Sequence, residues 1–176
     1  MTGRVMEPRG NYDPVMVPYG NYPSKGDDKW VSIAVATDEE WDGLRRAMGE
    51  PDWTSRPEYS SRYQRGEHRK DLDRELSEWT KQHTAEEITT VLQSEGVAAM
   101  PVMGAEERLH NAHFKERGLY EEIEHPSLGM EPIFNLMWKL SKTSAAIRRH
   151  APLLGEHNRE VFCELLEMPE EEVARL

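Results

Sequence analysis

Two short stretches with the same arrangement, Thr37-Asp38-Glu39-Glu40 and Thr84-Ala85-Glu86-Glu87, constrain this chain more than any other feature. In each, a threonine oxygen can accept the free backbone N–H three residues on, and the glutamate there can reach back to the threonine N–H, so a helix start is specified at both places. Trp41, Leu44 and Met48 follow the first box and end at Gly49; Ile88, Val91 and Leu92 follow the second and end at Gly96. Both runs have helical spacing, and glycine can take the left-handed conformation that closes a helix.

The residues between and around these helices have a different period. Two extended runs flank the turn signal Gly26-Asp27-Asp28, and Trp30 to Ala36 is rich in strand formers, which predicts a β-hairpin. Leu72, Leu76 and Trp79 predict another amphipathic helix, and Val97 to Val102 a short buried strand. From Gly104 to Arg117 the pattern is broken helix. Leu119 to Pro126 alternates like an exposed strand, and Ile133 to Ser141 is compatible with a strand or irregular core. Strands and helices without regular alternation predict an α+β fold. The expected organisation is an extended lead-in over 1–16, a small α+β domain over 17–140, and a C-terminal linker with helices over 141–176.

Charge and motif content narrow the function. A net charge of −11 speaks against nucleic acid, whose phosphates need clustered Lys and Arg. The basic run Arg65 to Lys70 is interleaved with acid and reads as a solvated helix face. The N-terminus has no apolar signal core, no apolar run is long enough for a membrane, and a cytoplasmic location is expected. No phosphate-loop or dinucleotide glycine pattern occurs, no paired-cysteine or His-Glu-x-x-His metal motif, and no serine in a nucleophile-elbow context. His110, His113 and His125 read as surface histidines and no metal is expected; Cys163 reads as a packed thiol.

One stretch is unusual. In Ala151 to Leu166 ("APLLGEHNREVFCELL"), Pro, Gly and His interrupt an apolar run before a helix whose Val161, Leu165 and Leu166 form a stripe able to face a core. Asn158 is the candidate N-cap of that helix.

This segment, with the others in order, resembles the C-terminal portion of the class III CoA-transferases. The resemblance is carried by "RGN" at 9–11, "VPYGNYPSKGDDKWVSIAV" at 17–35, "AMGEPDW" at 47–53, "RPEY" at 56–59 and "LQSEGVAAMPV" at 92–102. It continues through "HNAHFKERG" at 110–118, "HPSLG" at 125–129 and "APLLGEHNREV" at 151–161. Ala98 departs from the proline usual in the family's Gly-Val-Pro element, and "RPEY" replaces the commoner Asp-Pro-Arg-Phe.

The resemblance implies a small CoA-transferase domain with a mixed or antiparallel sheet flanked by helices, and a C-terminal helical segment that packs on a large domain. It implies transfer of coenzyme A from an acyl-CoA to a carboxylate, through an aspartate nucleophile of the N-terminal half. No catalytic residue is therefore assigned here, and neither Asp27 nor Asp28 is given that role. It further implies a glycine-containing loop over the active site, matched by Pro18, Tyr19, Gly20 and Asn21. Pro152, Gly155 and His157 become structural junction residues. No cofactor is expected on this chain alone; the coenzyme A thioester is a substrate of the complete enzyme. Expected partners are a chain carrying the N-terminal half, or further copies in a homo-oligomer, with acyl-CoA and carboxylate substrates and neither nucleic acid nor membrane. The alternatives are a non-catalytic remnant or excised domain serving in binding or assembly, or part of an acyl-CoA racemase of the same superfamily.

Overall fold

The two Thr-x-x-Glu boxes both close. Glu40 N donates to Thr37 Oγ1 at 3.2 Å and Thr37 N to Glu40 Oε2 at 3.3 Å. Thr84 N donates to Glu87 Oε2 at 2.8 Å and Glu87 N to Thr84 Oγ1 at 3.2 Å. In the computed structural model, which describes residues 10–175, the elements in chain order begin with strands β1 (Tyr19–Pro23) and β2 (Trp30–Ala34) and helix α1 (Asp38–Ala47). Two 3-10 turns at Asp52–Ser55 and Pro57–Tyr59 precede α2 (Arg62–Glu67), α3 (Arg69–Thr80), α4 (Ala85–Ser94) and β3 (Ala98–Pro101). Then come α5 (Ala105–His110), α6 (Ala112–Glu116), β4 (Tyr120–His125), β5 (Gly129–Phe134), a π-helical segment Arg159–Leu165, and α7 (Glu170–Val173). The first nine residues of the expected lead-in lie outside the described residues.

The chain divides into two units, 1–103 and 104–176. In the first, β1, β2 and β3 form an antiparallel sheet in that order, with Gly20 opposite Ile33 and Ile33 opposite Ala99. One sheet face, with Tyr22, Val31, Ile33 and Ala99, joins Leu44 of α1, Leu72 and Leu76 of α3, and Ile88 and Leu92 of α4 in a single buried apolar cluster. Helix periodicity and strand alternation meet there: the apolar stripes of three helices cover the apolar side of one sheet. Gly49 and Gly96 both adopt φ of +78° where their helices end. The fold is α+β.

In the second unit, β4 and β5 form a two-stranded antiparallel hairpin, from Tyr120 opposite Phe134 to His125 opposite Gly129. No apolar side chain of this unit is buried among the described residues; the one buried residue is His125, whose Nδ1 accepts from the N–H groups of Ser127 and Leu128 in the hairpin turn. The expectation of a surface histidine at 125 is thereby corrected, while His110 and His113 are exposed.

The expected N-cap is also corrected, and the C-terminal stripe faces no core among the described residues of this unit. Val161, Leu165 and Leu166 are exposed, the segment winds as a π-helix, and Asn158 has helical backbone angles and caps nothing with its side chain. Cys163 is half-buried. An apolar stripe becomes a core only where something apolar faces it, and among the described residues of this unit nothing buries it.

Candidate functional site

Pro18, Tyr19, Gly20 and Asn21 stand at the start of the edge strand. A free loop is what the resemblance implies; the structure places Tyr19 to Asn21 in β1, opposite Ala34, Ile33 and Ser32. Strand alternation divides them. Tyr19 and Asn21 are exposed on the sheet face away from the core, together with Trp30, Ser32 and Met100 from the neighbouring strands. Gly20 lies on the opposite side, where an added Cβ would stand 3.7 Å from Asn11 Cβ and 3.8 Å from the Tyr22 hydroxyl. Those are ordinary contacts, so neither crowding nor backbone conformation demands glycine there.

Below Gly20, the Tyr22 hydroxyl donates to Asp73 Oδ1 of α3 at 2.7 Å. One turn earlier in α3, Arg69 holds the preceding chain: Nη2 donates to the Met16 carbonyl at 2.9 Å, Nη1 to that of Asp13 at 3.4 Å, and the guanidinium sits 4.6 Å from the Tyr12 ring. Arg65, one further turn back, is fully buried. Its Nη2 pairs with Asp38 Oδ1 at 2.7 Å, its Nε and Nη1 donate to the carbonyls of Val17 and Tyr59, and its guanidinium lies 4.8 Å from the Trp41 ring.

The basic run 65–70 is thus no solvated face; two of its arginines bind the chain leading into β1. A signal for this was present. Arg65, Arg69, Leu72 and Leu76 fall at i, i+4, i+7 and i+11, which places both arginines in line with the apolar stripe.

Beside this network a cavity of about 710 Å³ opens between the chain before β1 and the starts of α1 and α2. Tyr12, Val17, Thr37, Asp38, Arg62 and Glu67 are among its lining residues. Arg62, exposed at its rim, also reaches the Ala36 carbonyl at 3.4 Å. The cavity offers both charges and aromatic surface next to Pro18. No cluster of three or more His, Cys, Asp or Glu side chains able to hold a metal occurs among the described residues.

Burial raises the Tyr22 hydroxyl pKa well above its ordinary value, and the Asp73 carboxylate raises it further. Burial also raises the Asp73 carboxyl, against the lowering effects of the Tyr22 bond and Arg69. For a raised group, stability is present below the unfolded pKa and lost as pH climbs towards the folded one. Two windows are expected: a decline above about pH 4 from Asp73, and another above about pH 10 as only unfolded tyrosine ionises. Denaturant unfolding across pH 3.5–6 and pH 9–11 checks this. In Asp73→Asn the acid-side decline should flatten; an unchanged slope would show that Asp73 does not titrate abnormally.

Pro152, Gly155 and His157 lie in the second unit. Gly155 has φ of +74° in the turn before the π-helix, a conformation that favours glycine. His157 Nε2 is 3.1 Å from Arg149 Nη1, and Pro152 is exposed.

The profile described as "CoA-transferase family III" matches residues 1–158. Among curated proteins, the succinyl-CoA–D-citramalate CoA-transferase of Chloroflexus aurantiacus is 33% identical over all 176 residues, which span 44% of that protein. The beta subunit of a succinyl-CoA–L-malate CoA-transferase from the same organism is 31% identical over 98% of the chain and 43% of its own length. In structure, a CaiB/BaiF family protein from Brucella suis superposes with a TM-score of 0.74 at 23% identity, covering 93% of this chain and 42% of that one. The chain spans less than half the length of these relatives.

Proposed function

The chain belongs to CoA-transferase family III, and from that premise we propose that it forms the small-domain part of an enzyme moving coenzyme A from an acyl-CoA to a carboxylate acceptor. The nucleophilic aspartate is carried by polypeptide outside these 176 residues, so the chain alone is inactive. Covalent exchange through such a carboxylate divides one hard transfer into easier steps. The observation that carries this reading is the second unit: it has strands and helices but buries no apolar side chain among the described residues, while the chain spans under half of its relatives. Apolar surface of that kind is covered by further polypeptide in a working assembly.

Within the complete enzyme, Tyr19 and Asn21 face the acyl or acceptor group from the open side of the sheet. Pro152, Gly155 and His157 shape the junction into the C-terminal helical segment, which packs on the large domain. The domain limits we adopt are 1–16, 17–140 and 141–176, and the assembly is cytoplasmic. Among the described residues no helix is long and apolar enough to cross a membrane.

The test is the native mass of the untagged protein from its own source, followed by CoA transfer from succinyl-CoA, the donor in the names of both curated relatives. A complex with a further polypeptide and transfer by that complex is the expected result. In it, Tyr19→Ala and Asn21→Ala should lower kcat/KM by roughly tenfold or more with unchanged thermal midpoint, as for lost positioning contacts. A lone monomer or homo-oligomer without transfer would overturn the proposal.

A further inference from the structure

In a chain with 33 acidic residues, the 24 positions from Pro132 to Gly155 contain none, yet they include Lys139, Lys142, Arg148 and Arg149. Subtracting those four positive charges from the net −11 leaves −15 on the remaining residues. The stretch is correspondingly apolar: Leu136, Met137, Trp138 and Leu140 are exposed, Met137 and Trp138 by more than 60%. Beyond Phe134 it has no regular secondary structure. Among the described residues Lys139, Lys142 and Arg148 make no ion pair, whereas Arg149 stands near Glu160 and His157.

We infer that residues 134–148 are a docking strip for an acidic polypeptide surface with apolar depressions, in which Trp138 and Met137 are seated and Lys139, Lys142 and Arg148 meet carboxylates. This rests on the reading that further polypeptide completes the enzyme, and it names the chemistry of that polypeptide's contact face. Trp and Met are enriched at interface centres, and exposed surface of this kind marks an interaction site. A basic strip on an otherwise acidic chain selects its partner by charge, because any other approach sets acidic surfaces against each other. The −15 elsewhere repels phosphate-dense polymers and anionic bilayers, and the strip lacks the helical amphipathicity with which interfacial segments enter a membrane.

The experiment compares the native complex of the unmodified protein with one reassembled from Lys139→Glu/Lys142→Glu/Arg148→Glu. A charge-conserving set, Lys139→Arg/Lys142→Arg/Arg148→Lys, is the control for folding. The expected result is a rise in Kd of about tenfold or more for the reversed set, little change for the conserved set, and wild-type affinity that falls as salt is raised. A reversed set that binds like the wild type overturns the docking strip while leaving the transferase reading intact. Failure of the wild-type chain to form any complex overturns both. Binding of the wild type to phosphatidylglycerol vesicles or to duplex DNA, lost in the reversed set, overturns the protein partner in favour of that ligand.

Discussion

Gly43→Ala is expected to destabilise the first unit by about 2 kcal/mol, although glycine to alanine inside a helix ordinarily gains up to about 1 kcal/mol. Gly43 is buried in the middle of α1, where the helix meets the end of α4. A Cβ there would collide with the Glu95 carbonyl oxygen and come within 3.1 Å of Val97 Cγ2. The first obstacle is backbone, held between α4 and β3, so relief requires a helix to move away from a core that includes Leu44 and Leu92. Gly66 in α2 is the matched control: nothing lies within 4 Å of its added Cβ, so Gly66→Ala should stabilise by roughly 0.5–1 kcal/mol. Denaturant midpoints of the two variants should therefore move in opposite directions. Stabilisation by both variants would mean that the close approach of α1 to Glu95 is absent in solution.

Arg65→Ala is expected to cost about 3 kcal/mol, most of it from packing and from orphaned backbone carbonyls rather than from the ion pair. Asp38 is 70% exposed in its side chain, so its carboxylate is well hydrated without Arg65, and the pair itself contributes at most about 1 kcal/mol. The carbonyls of Val17 and Tyr59 lose a buried donor, and Trp41 loses the guanidinium over its ring. Arg65→Met fills much of the volume and should recover about 1 kcal/mol, whereas Asp38→Asn should cost less than about 1 kcal/mol. If Asp38→Asn proved as damaging as Arg65→Ala, the ion pair would dominate and this apportionment would be wrong. Because Val17 immediately precedes Pro18, the same variant should loosen the entry to β1, visible as faster amide exchange at Gly20 and Tyr22, whose N–H groups face β2, than in Arg65→Met.

Features that close within a few residues are legible along the chain. Capping at Thr37 and Thr84, termination at Gly49 and Gly96, the hairpin about Gly26 to Asp28 and the stripe of Leu72, Leu76 and Trp79 are all local, since their hydrogen bonds and side-chain periods close within one or two turns. The ordered motifs from Val17 to Val161 also carried the family, to which the chain belongs. Side chains with two possible environments take the one that contacts between distant segments create. Arg65 is buried because the chain before β1 and the 3-10 turn at Pro57–Tyr59 bring the carbonyls of Val17 and Tyr59 to it, and a basic run looks the same in sequence whether water or protein surrounds it. Tyr19 to Asn21 became strand because β2 lies alongside in register and pairs Gly20 with Ile33 between them. The stripe of Val161, Leu165 and Leu166 stayed exposed because burial needs a facing apolar surface, a relation between segments that no period along one segment contains.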